Sequence, residues 1–226
     1  MAPVHVYVTT VGEARAGGAL ARYHAGLSDE ERSRHARMRP DPRGDEFLVG
    51  RALIRHALAI HAPGAAPALT AGSHGRLLAS GTAVELNLSH AEGVVVCAVA
   101  AGEIGVDVEK VDESRTEPGI WQHYFAPAEV AALAALPPAE RCERFFRYWT
   151  LKEAYIKARG LGLAIPLQQF WFLLEGTSIR VAFAPELHDD PARWQFAQQW
   201  LMNDFLLAVA LPSDEPIALT VERCRP

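Results

Sequence analysis

From Glu140 to Arg159 the chain runs twenty residues without a glycine or proline, and Cys142, Phe145, Phe146, Trp149 and Ile156 recur along it at spacings of three and four or their multiples. That pattern predicts a long helix with one apolar stripe laid against a core. Glu153 falls inside the stripe. A buried carboxylate costs several kcal/mol, roughly, unless a cation or a metal meets it. Lys157, one turn further on, is the nearest candidate. The simpler alternative is a surface ion pair at i, i+4, worth only about a few tenths of a kcal/mol.

A second constraint lies upstream in Gly105-Val106-Asp107-Val108-Glu109. Val94 to Ala100 and Ile104 to Val108 read as neighbouring strands joined by a tight turn at Gly102 and Glu103. Side chains alternate along a strand, so Asp107 and Glu109 share one face while Val106 and Val108 share the other. An ordinary solvated strand face explains such a pair. So does a hard divalent cation, since Mg²⁺ takes one or two carboxylates together with waters and phosphate oxygens. Glu153 would then supply a third acid from the helix.

Composition removes several classes of function. Half of the 226 residues are hydrophobic and charge is near average, as in an ordinary globular protein. The formal net charge of −5 argues against a nucleic-acid binder that works by neutralising phosphates. Cys97, Cys142 and Cys224 are odd in number and widely spaced, which suggests reduced thiols. Met1 to Ala14 has no basic n-region followed by an apolar core, and the longest apolar run, Val94 to Ala101, is too short to span a bilayer. A cytoplasmic protein that does not insert into membranes is expected.

Along the chain, Val4 to Thr9 alternates as a strand. Ser28 with Glu31 three residues on forms a capping box that starts a helix. The basic run Arg32, Arg34, Arg37 and Arg39 follows, read as a solvated helix face or as a phosphate-binding edge. Asp45 to His61 is a second helix ended by Pro63 and Gly64, Gly72 to Arg76 a loop, and Val84 to Leu88 a strand ending in Ser89-His90. Lys110 to Pro118 is the expected hinge. Pro127 opens a helix running to Leu136, and Gly160 to Leu163 stops the long helix. Short strands follow at Phe170–Leu174, Ile179–Phe183, Trp194–Gln199, Phe205–Ala210 and Ile217–Val221.

Three motifs in register now add to these readings: Asn87-Leu88-Ser89-His90, Gly105-Val106-Asp107-Val108-Glu109, and Trp149-Thr150-Leu151-Lys152-Glu153-Ala154-Tyr155-Ile156-Lys157. Together they resemble the 4′-phosphopantetheinyl transferases of the surfactin-synthetase-activating type, over about Leu27 to Pro166. Tyr124-Phe125-Ala126-Pro127-Ala128-Glu129 resembles that family's Phe-Phe-x-x-x-Glu segment. The resemblance implies an α/β (α+β) fold of two similar lobes in one chain, residues 1–112 on the coenzyme A nucleotide side and 113–226 carrying the central helix, and hence a monomer. By the same resemblance Arg34 matches a basic residue on the 3′-phosphate of coenzyme A. Gly75-Arg76 matches a pair lying against the nucleotide, His90 is used on the cofactor's phosphates, and Ser89 helps to hold the nucleotide end. Two departures stand out: Glu46 where the family often has Arg or Lys, and Leu77 where Pro is usual.

The activity so implied is transfer of the 4′-phosphopantetheine arm from coenzyme A to a serine of an apo acyl or peptidyl carrier protein, with release of 3′,5′-ADP. Mg²⁺ is held by Asp107, Glu109 and Glu153. Glu153 is the candidate base, directly or through water, and Lys157 stabilises charge on the phosphates. The carrier served belongs to fatty acid, polyketide or nonribosomal peptide synthesis, or to several. It would dock on local basic or apolar surface, to which Phe125, Leu133 and Leu136 are candidate contributors. Two other classes stay open: a silent coenzyme A- or carrier-binding module, and an unrelated Mg²⁺-dependent hydrolase.

Overall fold

A computed structural model describes residues 1–38, 42–65, 68–72 and 76–226. In chain order these form β1 (Ala2–Thr10), α1 (Val11–Ala16), α2 (Leu20–Ala25), α3 (Asp29–Ala36), α4 (Pro42–His61), β2 (Ala68–Ala71), β3 (Leu77–Ser80), β4 (Glu85–Ala91), β5 (Val94–Ala100), β6 (Gly105–Lys110), α5 (Pro118–Tyr124), α6 (Pro127–Ala135), α7 (Pro138–Arg159), β7 (Phe170–Glu175), β8 (Ser178–Phe183), β9 (Trp194–Leu201), β10 (Phe205–Pro212) and β11 (Ile217–Arg223). Arg39 and Gly75 of the motifs above lie outside the described residues.

Two sheets carry the fold. One has the order β11-β1-β5-β4 and the other β6-β10-β9. Val4, Val6 and Val8 of β1 and Val94, Val96 and Ala98 of β5 meet Val106, Val108, Leu207 and Val209 in a shared apolar layer, so the sheets pack face to face. The alternate residues Tyr7, Val95, Cys97 and Val99 turn outward to α4. On the far side Leu206, Ala208 and Ala210 turn to α7. With both faces covered, β5 is buried along its whole length, as its unbroken apolar run requires.

This arrangement corrects the expected hairpin. β5 and β6 belong to different sheets: β5 pairs with β1 and β4, whereas β6 pairs with β10. An apolar run followed by a tight turn specifies two strands but not which partners they take, and here the chain changes sheets between them. β6 thus joins the later strands, and β11 returns to lie parallel to β1.

The long helix forms as expected, with Pro138 in its first turn and Gly160 closing it in the left-handed conformation at φ 64°. It lies unusually close to β6. A methyl group built on Gly105 would stand 1.9 Å from the Ala154 carbonyl oxygen and 2.4 Å from the Ala158 nitrogen, so only glycine admits this approach. A buried ion pair fixes the helix on its other side. Lys152 Nζ lies 2.8 Å from Glu129 Oε2, with both side chains wholly buried. Lys152 also donates to the carbonyls of Leu167 and Phe170. Glu129 accepts from the backbone N–H groups of Ala126 and Phe172. Burial pushes the Glu129 carboxyl up and the Lys152 ammonium down, and each charge opposes the shift of the other. Phe125 and Leu133 are core residues beneath this pair, which removes them from any docking surface.

Candidate active site

Along β4 the side chains alternate. Leu86 and Leu88 pack with α4, His90 stands exposed on their side, and Asn87 and Ser89 turn to β6. β4 and β6 are edge strands of the two sheets. Across the gap, Asn87 Oδ1 accepts from the Val106 N–H at 3.0 Å and Ser89 Oγ from the Val108 N–H at 3.4 Å. Two short polar side chains therefore stand in for a missing strand and satisfy backbone donors that burial would otherwise leave unpaired. This pairing brings Ser89 to Asp107.

Asp107 is buried, 3 % exposed. Its Oδ1 accepts from Lys157 Nζ at 2.6 Å and from Ser89 Oγ at 2.9 Å, and Lys157 also donates to Ser89 Oγ at 2.8 Å. Lys157 thus pairs across to β6 and not with Glu153, contrary to the ion pair that the i, i+4 spacing suggests. The close seat of α7 on Gly105 makes that reach possible. Glu153, half-buried, has its carboxyl pushed up by burial and then by Asp107, with Lys157 opposing and Glu109 adding. Burial likewise pushes Asp107 up against the pull of Lys157. Glu109 is held by Trp149 Nε1 at 3.2 Å and Arg115 at 2.8 Å.

The donor set suits a hard cation in part. Asp107 Oδ2 is buried without a hydrogen-bond partner, and Glu153 feels the charge of both other acids. An orphaned carboxylate oxygen beside mutually repelling acids is what a divalent ion relieves. Among the described residues, however, no three His, Cys, Asp or Glu side chains are already gathered as ligands.

Above these acids opens a cleft of about 1020 Å³, walled by α3 and α4 (Arg34, Arg37, Arg43, Glu46, Phe47, Arg51), by Arg76 and Leu77, by β4 (Asn87, Leu88, His90) and by α7 (Glu153, Ile156, Lys157). Six cations line it against two carboxylates, in a chain of net charge −5. The cleft is a local basic site. Of the expected binding residues, Arg34, Arg76, His90 and Lys157 line it, while Ser89 lies buried behind, against Asp107.

Local structure explains how the cations are presented. The capping box forms as read, with the Ser28 N–H donating to Glu31 and the Glu31 N–H to Ser28 Oγ. Glu31 then also pairs with Arg51, at 3.1 Å, and with Arg55, tying α3 to α4. Burial raises the Glu31 carboxyl, but the Ser28 N–H and the two guanidinium groups outweigh it and hold it low. Phe47 lies between Arg34 and Arg51, 5.7 Å and 4.8 Å from its ring centre. Arg32 turns back to Asp29 and the Leu27 carbonyl, which settles it as the helix-face member of the run. Arg76 donates to the Ala158 carbonyl at 3.1 Å and to Glu85 at 3.2 Å, bridging β4 to the end of α7. Arg43 and Arg51 also line the cleft, and sequence reading assigned neither of them to the site. The i, i+4 spacing of Phe47 and Arg51 on α4 was the available signal.

A model of the 4′-phosphopantetheinyl transferase superfamily matches residues 103–210, which include β6 and α7. A 4′-phosphopantetheinyl transferase of Bacillus subtilis is 31% identical over 169 residues, 73% of this chain and 74% of that protein. The 4′-phosphopantetheinyl transferase HetI of Nostoc sp. is 33% identical over 133 residues, 58% of this chain and 48% of that protein, so the match spans about half of this relative's length. Among solved structures, the holo-acyl-carrier-protein synthase of Thermotoga maritima aligns with a TM-score of 0.39 at 19% identity, over 50% of this chain and 64% of the other.

Proposed function

The chain belongs to the 4′-phosphopantetheinyl transferase family, and from that premise we propose that it moves the 4′-phosphopantetheine arm of coenzyme A onto a serine of an apo acyl or peptidyl carrier protein. One observation supports this reading above others: a cleft rich in arginine ends on Glu153 and Lys157, and Lys157 is hydrogen-bonded to the buried Asp107 behind it. Cations suit the phosphates of a nucleotide, and the acids below them suit a metal-assisted phosphoryl displacement. The surfactin-synthetase-activating type is the subgroup proposed.

Arg34, Arg37, Arg43 and Arg76 hold the nucleotide end, with His90 on the phosphates. Asp107 and Glu153 would hold Mg²⁺, with Glu109, its oxygens here taken by Trp149 and Arg115, as the third acid, and the ion would supply neutralisation of phosphate charge. The serine oxygen forms a bond to the β-phosphorus as the bond to the leaving 3′,5′-ADP oxygen breaks. The serine proton passes to Glu153, directly or through water, and because a metal-bound carboxylate is a weak base the water route suits it better. Lys157 neutralises charge on the transferring phosphate. In such displacements the protein chiefly positions reactants and balances charge.

The test is intact-mass spectrometry of apo carrier proteins incubated with the protein, coenzyme A and Mg²⁺, with an EDTA control. A gain of about 340 Da that EDTA abolishes is the expected product of metal-assisted transfer, and a panel of fatty acid, polyketide and peptide carriers ranks the acceptors. Bound coenzyme A without any gain would replace this reading with a binding module. Coenzyme A breakdown without an acceptor would replace it with a hydrolase.

A further inference from the structure

Glu46 lines a cleft dominated by cations. Its side chain is 7 % exposed, and both oxygens are engaged. Oε1 accepts from the Gly93 N–H at 2.9 Å, and Oε2 lies 3.1 Å from His90 Nδ1. Gly93 and Glu92 both have positive φ, 81° and 44°, and form the tight turn between β4 and β5, directly after His90 and Ala91 at the end of β4. The carboxylate therefore grips the turn with one oxygen and stands against the imidazole with the other. His90 itself is about half exposed, with its other edge free to face the cleft.

We propose that Glu46 is a positioning residue which fixes His90 with its proton on Nδ1 and presents Nε2 to the phosphates of the bound nucleotide; this rests on the function proposed above. A histidine's two nitrogens are distinct, and the partner of one decides what the other offers. A carboxylate accepts only, so its approach to Nδ1 at 3.1 Å favours the proton on that nitrogen. Without the acid, the exposed ring rotates freely and its neutral form carries the proton on either nitrogen.

Two measurements test this. The first is the nitrogen spectrum of ¹⁵N-histidine-labelled protein without ligand at pH about 8, above the ordinary imidazole range near 6.5. Wild type should show His90 protonated on Nδ1, and Glu46→Ala should lose that preference. Unchanged His90 signals would overturn the proposal. The second is a double-mutant cycle on coenzyme A binding by calorimetry. Glu46→Ala should weaken binding about tenfold, the scale of one hydrogen bond to a charged group, and should have no further effect in a His90→Ala background. Equal losses in both backgrounds would mean that Glu46 acts through the fold and would sink the idea. Glu46→Gln keeps an acceptor for Gly93, so it guards against a variant that fails to fold. Failure of the wild type to bind coenzyme A would refute the proposed function, while the spectrum of the free protein would still decide the Glu46–His90 pair.

Discussion

Gly105→Ala is the substitution whose consequences the geometry fixes most narrowly. The new methyl group meets backbone, which cannot swing aside as a side chain can. To bring its contact with the Ala154 oxygen from 1.9 Å to the 3.0 to 3.4 Å that real contacts show, α7 must retreat from β6 by 1.1 to 1.5 Å. The same retreat applied to Lys157 Nζ and Asp107 Oδ1, now 2.6 Å apart, would carry them past the hydrogen-bond limit of about 3.2 Å. Glu153 and Trp149 ride on the same helix and would move with it. Misplacement by about 1 Å costs roughly a hundredfold in rate, and overpacking costs about 1–3 kcal/mol in stability. For a chain of this size that lowers the melting temperature by about 2–12 °C, at about 2–4 °C per kcal/mol. The assay is kcat/KM for holo-carrier formation, read beside a thermal melt. Gly102→Ala is the control, since a methyl group there meets nothing within 4 Å. Full activity and an unchanged melt in Gly105→Ala would refute the claim that this glycine seats the helix.

Three further outcomes are expected. Lys152→Met leaves Glu129 buried and unpaired, so chemical denaturation should show a loss of about 3–5 kcal/mol, much of it recovered in Glu129→Gln/Lys152→Met; an additive double variant would contradict this. Burial raises the Asp189 carboxyl, but hydrogen bonds from Tyr155, Trp194 and the Asp190 N–H, together with Arg159, outweigh it and hold it low. A depressed carboxyl stabilises the fold above its unfolded value of about 3.9 and loses that contribution as pH falls through the folded value. The stability gap between wild type and Asp189→Asn should therefore narrow in acid, as denaturation at several pH values would reveal. Burial pushes the Cys97 thiol up to about 12 and Cys224 to about 11, so a thiol reagent at pH 8 should label the native protein slowly and the unfolded chain at all three cysteines.

The sequence was most legible where local chemistry decides the outcome. The capping box at Ser28, the long helix with its Gly160 stop and the alternation of Val106, Asp107, Val108 and Glu109 all formed as read. These depend on neighbours within one turn or one strand. What needed the fold was pairing at a distance. Lys157 chose Asp107 over Glu153 because two elements fifty residues apart touch. Glu46 found His90 across the α4–β4 contact. Lys152 was hidden for another reason: it lies seven residues after Phe145, in the same helical phase, yet a lysine in an apolar stripe is ordinarily read as surface.

The pairing of β1 with β11 sets a condition on how the molecule can be assembled. β1 is made well before its parallel neighbour β11, which is completed only at residue 223. During synthesis one edge of β1 is therefore an open template that other chains could pair with. A fragment cut near residue 112 would keep that open edge and would carry β6 without its partner β10. Expressed separately, the two halves should aggregate or recombine with each other, which makes the junction a natural place to split the protein into complementing fragments.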